Sequence, residues 1–306
     1  MDVIGVGDAD VDIYLDVDRI PGRDEKLLAK RVNLYPGGMI ANFLVVLRRL
    51  GTTCGFHGPV GDDEYGALTL ADLQANQVDV SGAVIKPGGK TYFCVVMLDE
   101  SGEKSLVVAP TDCLSLLPED FSESALERAR HVHTIAAILP TTRKVVSYAK
   151  RRGMTTSLDL EANMVRYVDE LLPVLADVDL LFINQQAARA LGGSDDLEEA
   201  AAQILSLGPS VVCVTMGAAG SLTVTPATSF HTEAFPVQVV DSTGAGDSFA
   251  AGFVHGYLKK WPLPQTAQFA SAVGALAVTY RGGHTGAPTF DEVAAFLHAR
   301  GIPPPS

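Results

Sequence analysis

The sequence predicts an α/β fold built on a mostly parallel sheet, and three observations carry that prediction. From about residue 130 onward, short β-branched runs alternate with stretches of helical spacing, the rhythm of strands joined by crossover helices. The first apolar run, Val3 to Gly7, is short and ends in glycine, as a buried strand does. The chain has 306 residues, of which 47% are hydrophobic, enough to bury a full core as one α/β domain.

After that first strand, Ile13, Leu15 and Val17 alternate with Tyr14, Asp16 and Asp18, a period of two that predicts a half-exposed strand. Ile40, Phe43, Leu44, Leu47 and Leu50 follow helical spacing, with Gly51 as the stop. Tyr92–Leu98 and Lys104–Ala109 predict a hairpin joined by Asp99-Glu100-Ser101-Gly102. These early alternating strands do not suit a parallel core and are expected to form a small separate sheet over one edge, where a lid would lie. In the second half the predicted strands are Val132–Ile138, Thr155–Leu160, Leu180–Asn184 and Val211–Thr215. The helices between them are Thr142–Arg152, Val168–Ala176 and Leu197–Leu207. Two long helical patterns follow, Ala245–Lys259 and Gln265–Tyr280, and the proline-rich tail from Gly301 is expected to fray.

With 23 basic and 36 acidic residues the formal charge is −13, which argues against nucleic acid or an anionic membrane as a partner. No apolar stretch approaches the roughly 20 residues of a membrane helix. Cys54, Cys94, Cys113 and Cys213 form no paired or metal-ligand spacing and sit among apolar neighbours, as free thiols in a reducing compartment do. The N-terminus shows no signal-peptide pattern, so a cytoplasmic location is expected. The seven histidines show neither metal nor triad spacing, and His131 and His133 share one face of a predicted strand, where a structural role is expected.

Two phosphate-binding motifs fail. Gly5-Val6-Gly7 lacks the third glycine of a dinucleotide loop, because Asp10 stands there, and Gly89-Lys90-Thr91 lacks the first glycine of a P-loop, because Val84 stands there. The strong signal is Asp241-Ser242-Thr243-Gly244-Ala245-Gly246-Asp247-Ser248-Phe249-Ala250-Ala251-Gly252. An extended apolar segment precedes it, and Phe249, Phe253 and Tyr257 follow at helical spacing, so its glycines fall where a loop becomes a helix N-terminus. Backbone N–H groups there approach an anion closely and the helix dipole favours negative charge. Asp247 falls in the first turn, beside the place of a phosphoryl group, where a carboxylate takes a proton from an attacking hydroxyl. The competing reading makes Asp247 a helix cap.

The stretch DSTGAGDSFAAGF resembles the C-terminal signature of the ribokinase-like (PfkB) carbohydrate kinase family. In the N-terminal half, Pro36-Gly37-Gly38-Met39-Ile40-Ala41-Asn42 with Leu50-Gly51, and Val60-Gly61-Asp62-Asp63-Glu64-Tyr65-Gly66, are similar to two further family segments, and Thr215-Met216-Gly217-Ala218-Ala219-Gly220 is similar to its nucleotide loop. The matches run in order over nearly the whole chain. The resemblance implies a ribokinase-like three-layer α/β/α domain over residues 1–306, with lid strands from about 12–35 and 90–110. It implies an ATP-dependent phosphotransferase acting on a hydroxyl of a sugar or sugar-like molecule, with Asp247 as general base and the backbone of Gly244, Ala245 and Gly246 as anion hole. Asp10, Asp12, Gly37, Gly38 and Asn42 would hold the sugar; carboxylate and amide together supply the acceptors and donors that a polyol needs. Thr215, Gly217 and Gly220 would contact ATP, with Asn184 near its phosphates and Mg2+. Asp241 matches a position that often helps hold a monovalent cation in this family, K+ being the candidate.

One departure stands out. The family's N-x-x-E segment is here Asn184-Gln185-Gln186-Ala187, so the magnesium-ordering glutamate is missing, and Glu161, beside Asp159 at the end of a predicted parallel strand, is the candidate substitute. A nucleoside kinase and a non-catalytic sugar- or nucleotide-binding protein on the same scaffold are the alternatives. The intact Gly-Ala-Gly-Asp speaks against the latter, since a binder has no need of a base. An exposed lid edge would invite a homodimer through the lid.

Overall fold

Alternate residues of one strand enter two different apolar cores. Leu180 and Phe182 pack in one cluster, Leu181 and Ile183 in another, and Val211, Cys213 and Val212, Val214 divide in the same way. A strand buried on both faces belongs to the middle of a sheet covered by helices.

The computed structural model describes residues 1–100 and 104–303. In chain order its elements are β1 (Val3–Val6), β2 (Asp10–Asp16), β3 (Arg31–Gly37), α1 (Met39–Arg49), β4 (Cys54–His57), β5 (Pro59–Gly61), α2 (Glu64–Ala75), β6 (Val84–Lys86), β7 (Phe93–Leu98) and β8 (Lys104–Ala109). The second half adds β9 (His131–Ile135), α3 (Leu139–Arg151), β10 (Thr155–Leu160), α4 (Val168–Leu175), β11 (Leu180–Asn184), α5 (Gln185–Gly192), α6 (Leu197–Leu205) and β12 (Val211–Thr215). Then come β13 (Ser221–Val224), β14 (Ser229–Thr232), α7 (Ala245–Leu258), α8 (Leu263–Ala277) and α9 (Phe290–His298).

The central sheet has eight strands in the order β14-β13-β12-β11-β10-β9-β1-β4. Pairing is parallel from β4 to β12 and antiparallel at β13 and β14. Side chains of α1, α7, α8 and α9 fill one face and those of α3 to α6 the other, giving three layers. A separate four-stranded sheet, β3-β2-β7-β8, stands beside it; β2 pairs antiparallel with β3 and parallel with β7, and β7 pairs antiparallel with β8. Part of the β7–β8 connection lies outside the described residues. No helix among the described residues is long and apolar enough to cross a membrane.

Several boundaries differ from the sequence reading for identifiable reasons. The strand expected over Val132–Ile138 stops at Ile135, and α3 starts at Leu139 because Pro140, in its first turn, carries a φ preset for helix. Pro264 likewise starts α8 at Leu263, and that helix ends at Ala277 rather than Tyr280. The short antiparallel strands β13 and β14 and the helices α2, α5 and α9 were not read from the sequence. For α9 a signal existed: Thr289 and Glu292 form a reciprocal capping box. The four cysteines are free and buried. His131 bonds the Thr155 and Ser157 hydroxyls at 2.8 and 2.7 Å, and burial pushes its pKa down to about 3. It is a neutral structural histidine, as expected from the strand pattern.

Candidate active site

The carboxyl ends of the parallel strands open into one cleft of 690 Å³. Asp8 after β1, Asp159 in β10, Glu161, Asn184 in β11 and Thr215 in β12 line it, with Asp10 and Asp12 from the lid and Gly244 to Asp247 from the start of α7. A crevice at this end of an open parallel sheet is where such folds bind ligands.

The acidic wall begins where the chain leaves β1 for the lid. Asp8 accepts from the Ile40 amide at 3.0 Å and from the Tyr92 hydroxyl at 2.8 Å, and so satisfies the start of α1 in place of Gly38, which has no capping side chain. Gly37 packs closely here. A Cβ would lie 2.6 Å from Asp10 Oδ1 and 2.7 Å from Asp12 Oδ2. Asp10 Oδ1 is buried with no hydrogen-bond partner, an acceptor waiting for a donor that the protein itself does not supply. Burial, then the charges of Asp12 and Asp8, push the Asp10 carboxyl well up. Burial and Asp241 raise Asp12 to about 6, against the opposing pull of His284 and Lys104.

At the start of α7, Gly244 has φ +75°, and a Cβ there would fall 2.0 Å from the Gly283 carbonyl oxygen, so only glycine fits. The Ala245 N–H turns back to the Ser242 carbonyl at 3.3 Å and the Ser248 N–H bonds that of Gly244. Among the described residues the amides of Gly244, Gly246 and Asp247 meet no backbone acceptor. Of the Gly244, Ala245 and Gly246 amides expected to form an anion hole, that of Ala245 already meets an acceptor, and the Asp247 amide is a further one that, among the described residues, meets none. A Cβ on Gly246 would meet nothing within 4 Å, which leaves that amide open to an approaching anion.

Asp247 caps nothing. The cap position is Gly244, and the Asp247 carboxylate instead accepts from Asn42 Nδ2 at 2.8 Å across the α1–α7 interface. Burial and the Asp159 charge raise its pKa well above the carboxylate range, with the Asn42 hydrogen bond working the other way. A raised pKa brings a general base nearer to working pH.

Asp159 and Glu161 form no ion pair among the described residues. Burial, then Glu161 and Asp8, push Asp159 up to about 7, and burial with Asp8 raises Glu161. Two carboxylates without an ion-pair partner, side by side in the cleft lining, fit a divalent cation. Asn184 lines the cleft, but its Oδ1 also caps α5 by accepting from the Ala187 amide at 2.9 Å. Ala187 itself is fully buried in the apolar cluster, which explains how the chain tolerates the missing glutamate there. Thr215 lines the cleft, whereas Gly217 and Gly220 sit in the turn beyond it and do not. Gly220 answers to packing, since a Cβ would lie 2.0 Å from the Thr232 carbonyl oxygen.

Asp241 does not fit a monovalent cation. Its Oδ2 accepts from the Tyr14 hydroxyl at 2.5 Å and the Gly282 amide at 3.1 Å; its Oδ1 accepts from the Thr243 amide at 3.0 Å and the Thr243 hydroxyl at 2.7 Å. Lys104 Nζ stands 3.5 Å from Oδ1. These donors take up the lone pairs of a carboxylate. Burial opposes its charge, but the bonds from Tyr14, Thr243 and Gly282 outweigh it and lower the Asp241 pKa.

Four residues at the site went unread in the sequence: Asp8, Tyr14, Asp72 and His284. His284 Nδ1 lies 2.8 Å from Asn42 Oδ1 and its Nε2 lies 2.8 Å from Asp72 Oδ2, at sequence separations of 242 and 212 residues. No short-range spacing signals such a contact.

The pfkB family carbohydrate kinase model matches residues 2–290. The ATP-dependent ribose-1-phosphate kinase of Halopiger xanaduensis is 32% identical over 97% of this chain and 98% of its own. The ribokinase of Thermotoga maritima superposes with a TM-score of 0.86 at 25% identity, over 97% of this chain and 99% of that one. An E. coli protein solved with ATP and Mg2+ gives 0.87 at 27% identity, with the same coverage of 97% and 99%. The signature before α7, the buried carboxylate it delivers and the match over nearly the whole chain agree: this protein belongs to the pfkB family of carbohydrate kinases.

Proposed function

We propose that the protein transfers the γ-phosphoryl group of ATP to a hydroxyl of a sugar held between the lid and the start of α7. The observation that carries this reading is the placement of Asp247, a buried carboxylate with raised pKa beside three amides that have no backbone acceptor. Asp10, Asp12 and Asn42 hold the sugar hydroxyls. Asp247 takes the proton of the attacking hydroxyl as its oxygen forms a bond to the γ-phosphorus. The bond from phosphorus to the β,γ-bridging oxygen breaks, and ADP leaves with that electron pair. The amides of Gly244, Gly246 and Asp247 receive the charge on the transferring group. ATP lies toward Asn184 and Thr215. Mg2+, when bound, neutralises phosphate charge, and Asp159 and Glu161 are the residues that would hold it.

Among the described residues no Lys or Arg lines the cleft, and the ammonium at its rim, Lys104, is already engaged by Asp241, Ser242 and Thr243, which favours a neutral polyol over an already phosphorylated acceptor. The row Leu34, Ile13, Val95 and Val107 crosses the lid on the face opposite to Tyr14, Val96 and Leu106, and supports a homodimer through that outer face. An ATP-consumption screen over pentoses, hexoses, keto-sugar acids, nucleosides and ribose 1-phosphate tests the acceptor class. Turnover with a neutral sugar supports the reading, and turnover confined to ribose 1-phosphate or to nucleosides refutes it.

A further inference from the structure

The amide of Asn42 has two ways to face Asp247, and they have opposite consequences. With Nδ2 toward Asp247, at 2.8 Å, the amide donates to an ionised carboxylate, the form that can accept a proton. With Oδ1 toward Asp247, it would accept from a protonated carboxyl and stabilise the form that cannot act as a base. Nothing in α1 itself chooses between them, because the two ends of an amide have nearly the same shape.

The other edge of the amide faces His284. Its Nδ1 meets Asn42 Oδ1 and its Nε2 meets the Asp72 carboxylate, both at 2.8 Å. Asn42 Oδ1 is an acceptor, so the ring must donate from Nδ1 for that bond to form. A ring that donates from Nδ1 holds Oδ1 of Asn42 and leaves Nδ2 for Asp247. The ring and its contact with Asn42 are buried, so water does not readily stand in for Asn42. The local backbone is shaped for this contact: a Cβ on Gly283 would lie 2.4 Å from the Asn42 amide atoms. Three elements meet here: α2 brings Asp72, α1 brings Asn42, and the segment after α8 brings His284.

We propose that His284, anchored by Asp72, is a positioning residue for phosphoryl transfer: it locks the Asn42 amide with its donor edge on Asp247, and so holds that carboxylate in its proton-accepting form. The proposal rests on Asp247 being the base. It adds a function for a histidine that is not itself in the cleft lining and reaches it only through Asn42.

The charged groups facing this chain are few and named. Asp72 and, through space, Asp12 act on His284; Asp159, Asp8 and Glu161 act on Asp247. Losing His284 frees the Asn42 amide to turn, so protonated Asp247 gains an acceptor. The acid limb of kcat should then move to higher pH, because the protonated form has become more stable in the folded protein.

The test has two arms. The first is side-chain 15N NMR of His284 in the full-length wild type at pH 7 without ligands. The proposal requires hydrogen on Nδ1; a bare Nδ1 overturns it. The second is kcat against pH at saturating ATP and the best acceptor of the screen above, for His284→Ala, His284→Gln and Asp247→Asn. His284→Ala should lose about tenfold in kcat at pH 7, less than loss of the base itself, and its acid limb should shift upward. His284→Gln keeps an N–H donor for Asn42 and should recover most of the rate. If Asp247→Asn loses its rate while His284→Ala keeps both rate and limb, this proposal fails alone. If Asp247→Asn keeps its rate, the base assignment fails and takes this proposal with it.

Discussion

Tyr14 in the lid and Asp241 in the loop before α7 share a 2.5 Å hydrogen bond, so the lid is tied directly to the segment that builds the anion hole. Lys104, from the opposite edge of the lid, reaches the same loop and lies 3.0 Å from Thr243 Oγ1. The lid thus brings its own cation to the place where the family resemblance suggested K+.

Activity should therefore not depend on K+. Replacing K+ by tetramethylammonium at matched ionic strength should leave kcat unchanged. Lys104→Met leaves the Tyr14, Gly282 and Thr243 donors on Asp241, so this variant too should show no K+ activation. Strong K+ activation of the wild type would contradict the account of Asp241.

The close fit of Gly37 against Asp10 and Asp12 leads to a second expectation. In Gly37→Ala the added methyl would crowd both carboxylates, at 2.6 and 2.7 Å before adjustment. Losing the hydrogen bonds to sugar hydroxyls costs roughly 1–3 kcal/mol, which raises the sugar KM by about tenfold or more. The ATP KM and the melting temperature should stay near wild type. An equal rise in both KM values would mean that these aspartates do not hold the sugar.

Magnesium is a question for Glu161 rather than for position 187. Ala187→Glu would drive a carboxylate into a fully apolar cluster and destabilise the protein without informing on metal. Glu161→Gln should raise the free Mg2+ needed for half-maximal rate by about tenfold or more. An unchanged Mg2+ dependence would remove Glu161 from the metal site and leave Asp159 to be tested in the same way.

The sequence was most legible where chemistry is written over a few neighbouring residues. Gly244 to Asp247 could be read because a loop-to-helix junction with a carboxylate in its first turn is a local pattern, and the structure brings that segment to the cleft. The parallel core was legible because strands buried on both faces read as continuous apolar runs. The antiparallel β13 and β14 escaped because strands of four residues are too short to show a period. The sugar wall was legible only in part. Asp10 and Asp12 lie near the first strand, but Asp8 takes its meaning from Ile40 and Tyr92. Asp72 and His284 converge on Asn42 only after folding. The pattern tells which residues make the turn but not which N–H the turn consumes, and that is the Ala245 N–H, which meets the Ser242 carbonyl.

The central claim is that Asp247 is the general base, and Asp247→Asn tests it most directly. Asparagine keeps the shape and still accepts from Asn42, so the cleft should remain built and both substrates should bind by calorimetry. The measurement is kcat at saturating ATP and sugar, with the melting temperature taken on the same preparation. The account predicts an unchanged melting temperature and a fall in kcat of about 10²–10⁴-fold. A folded variant that keeps near-normal kcat would contradict it.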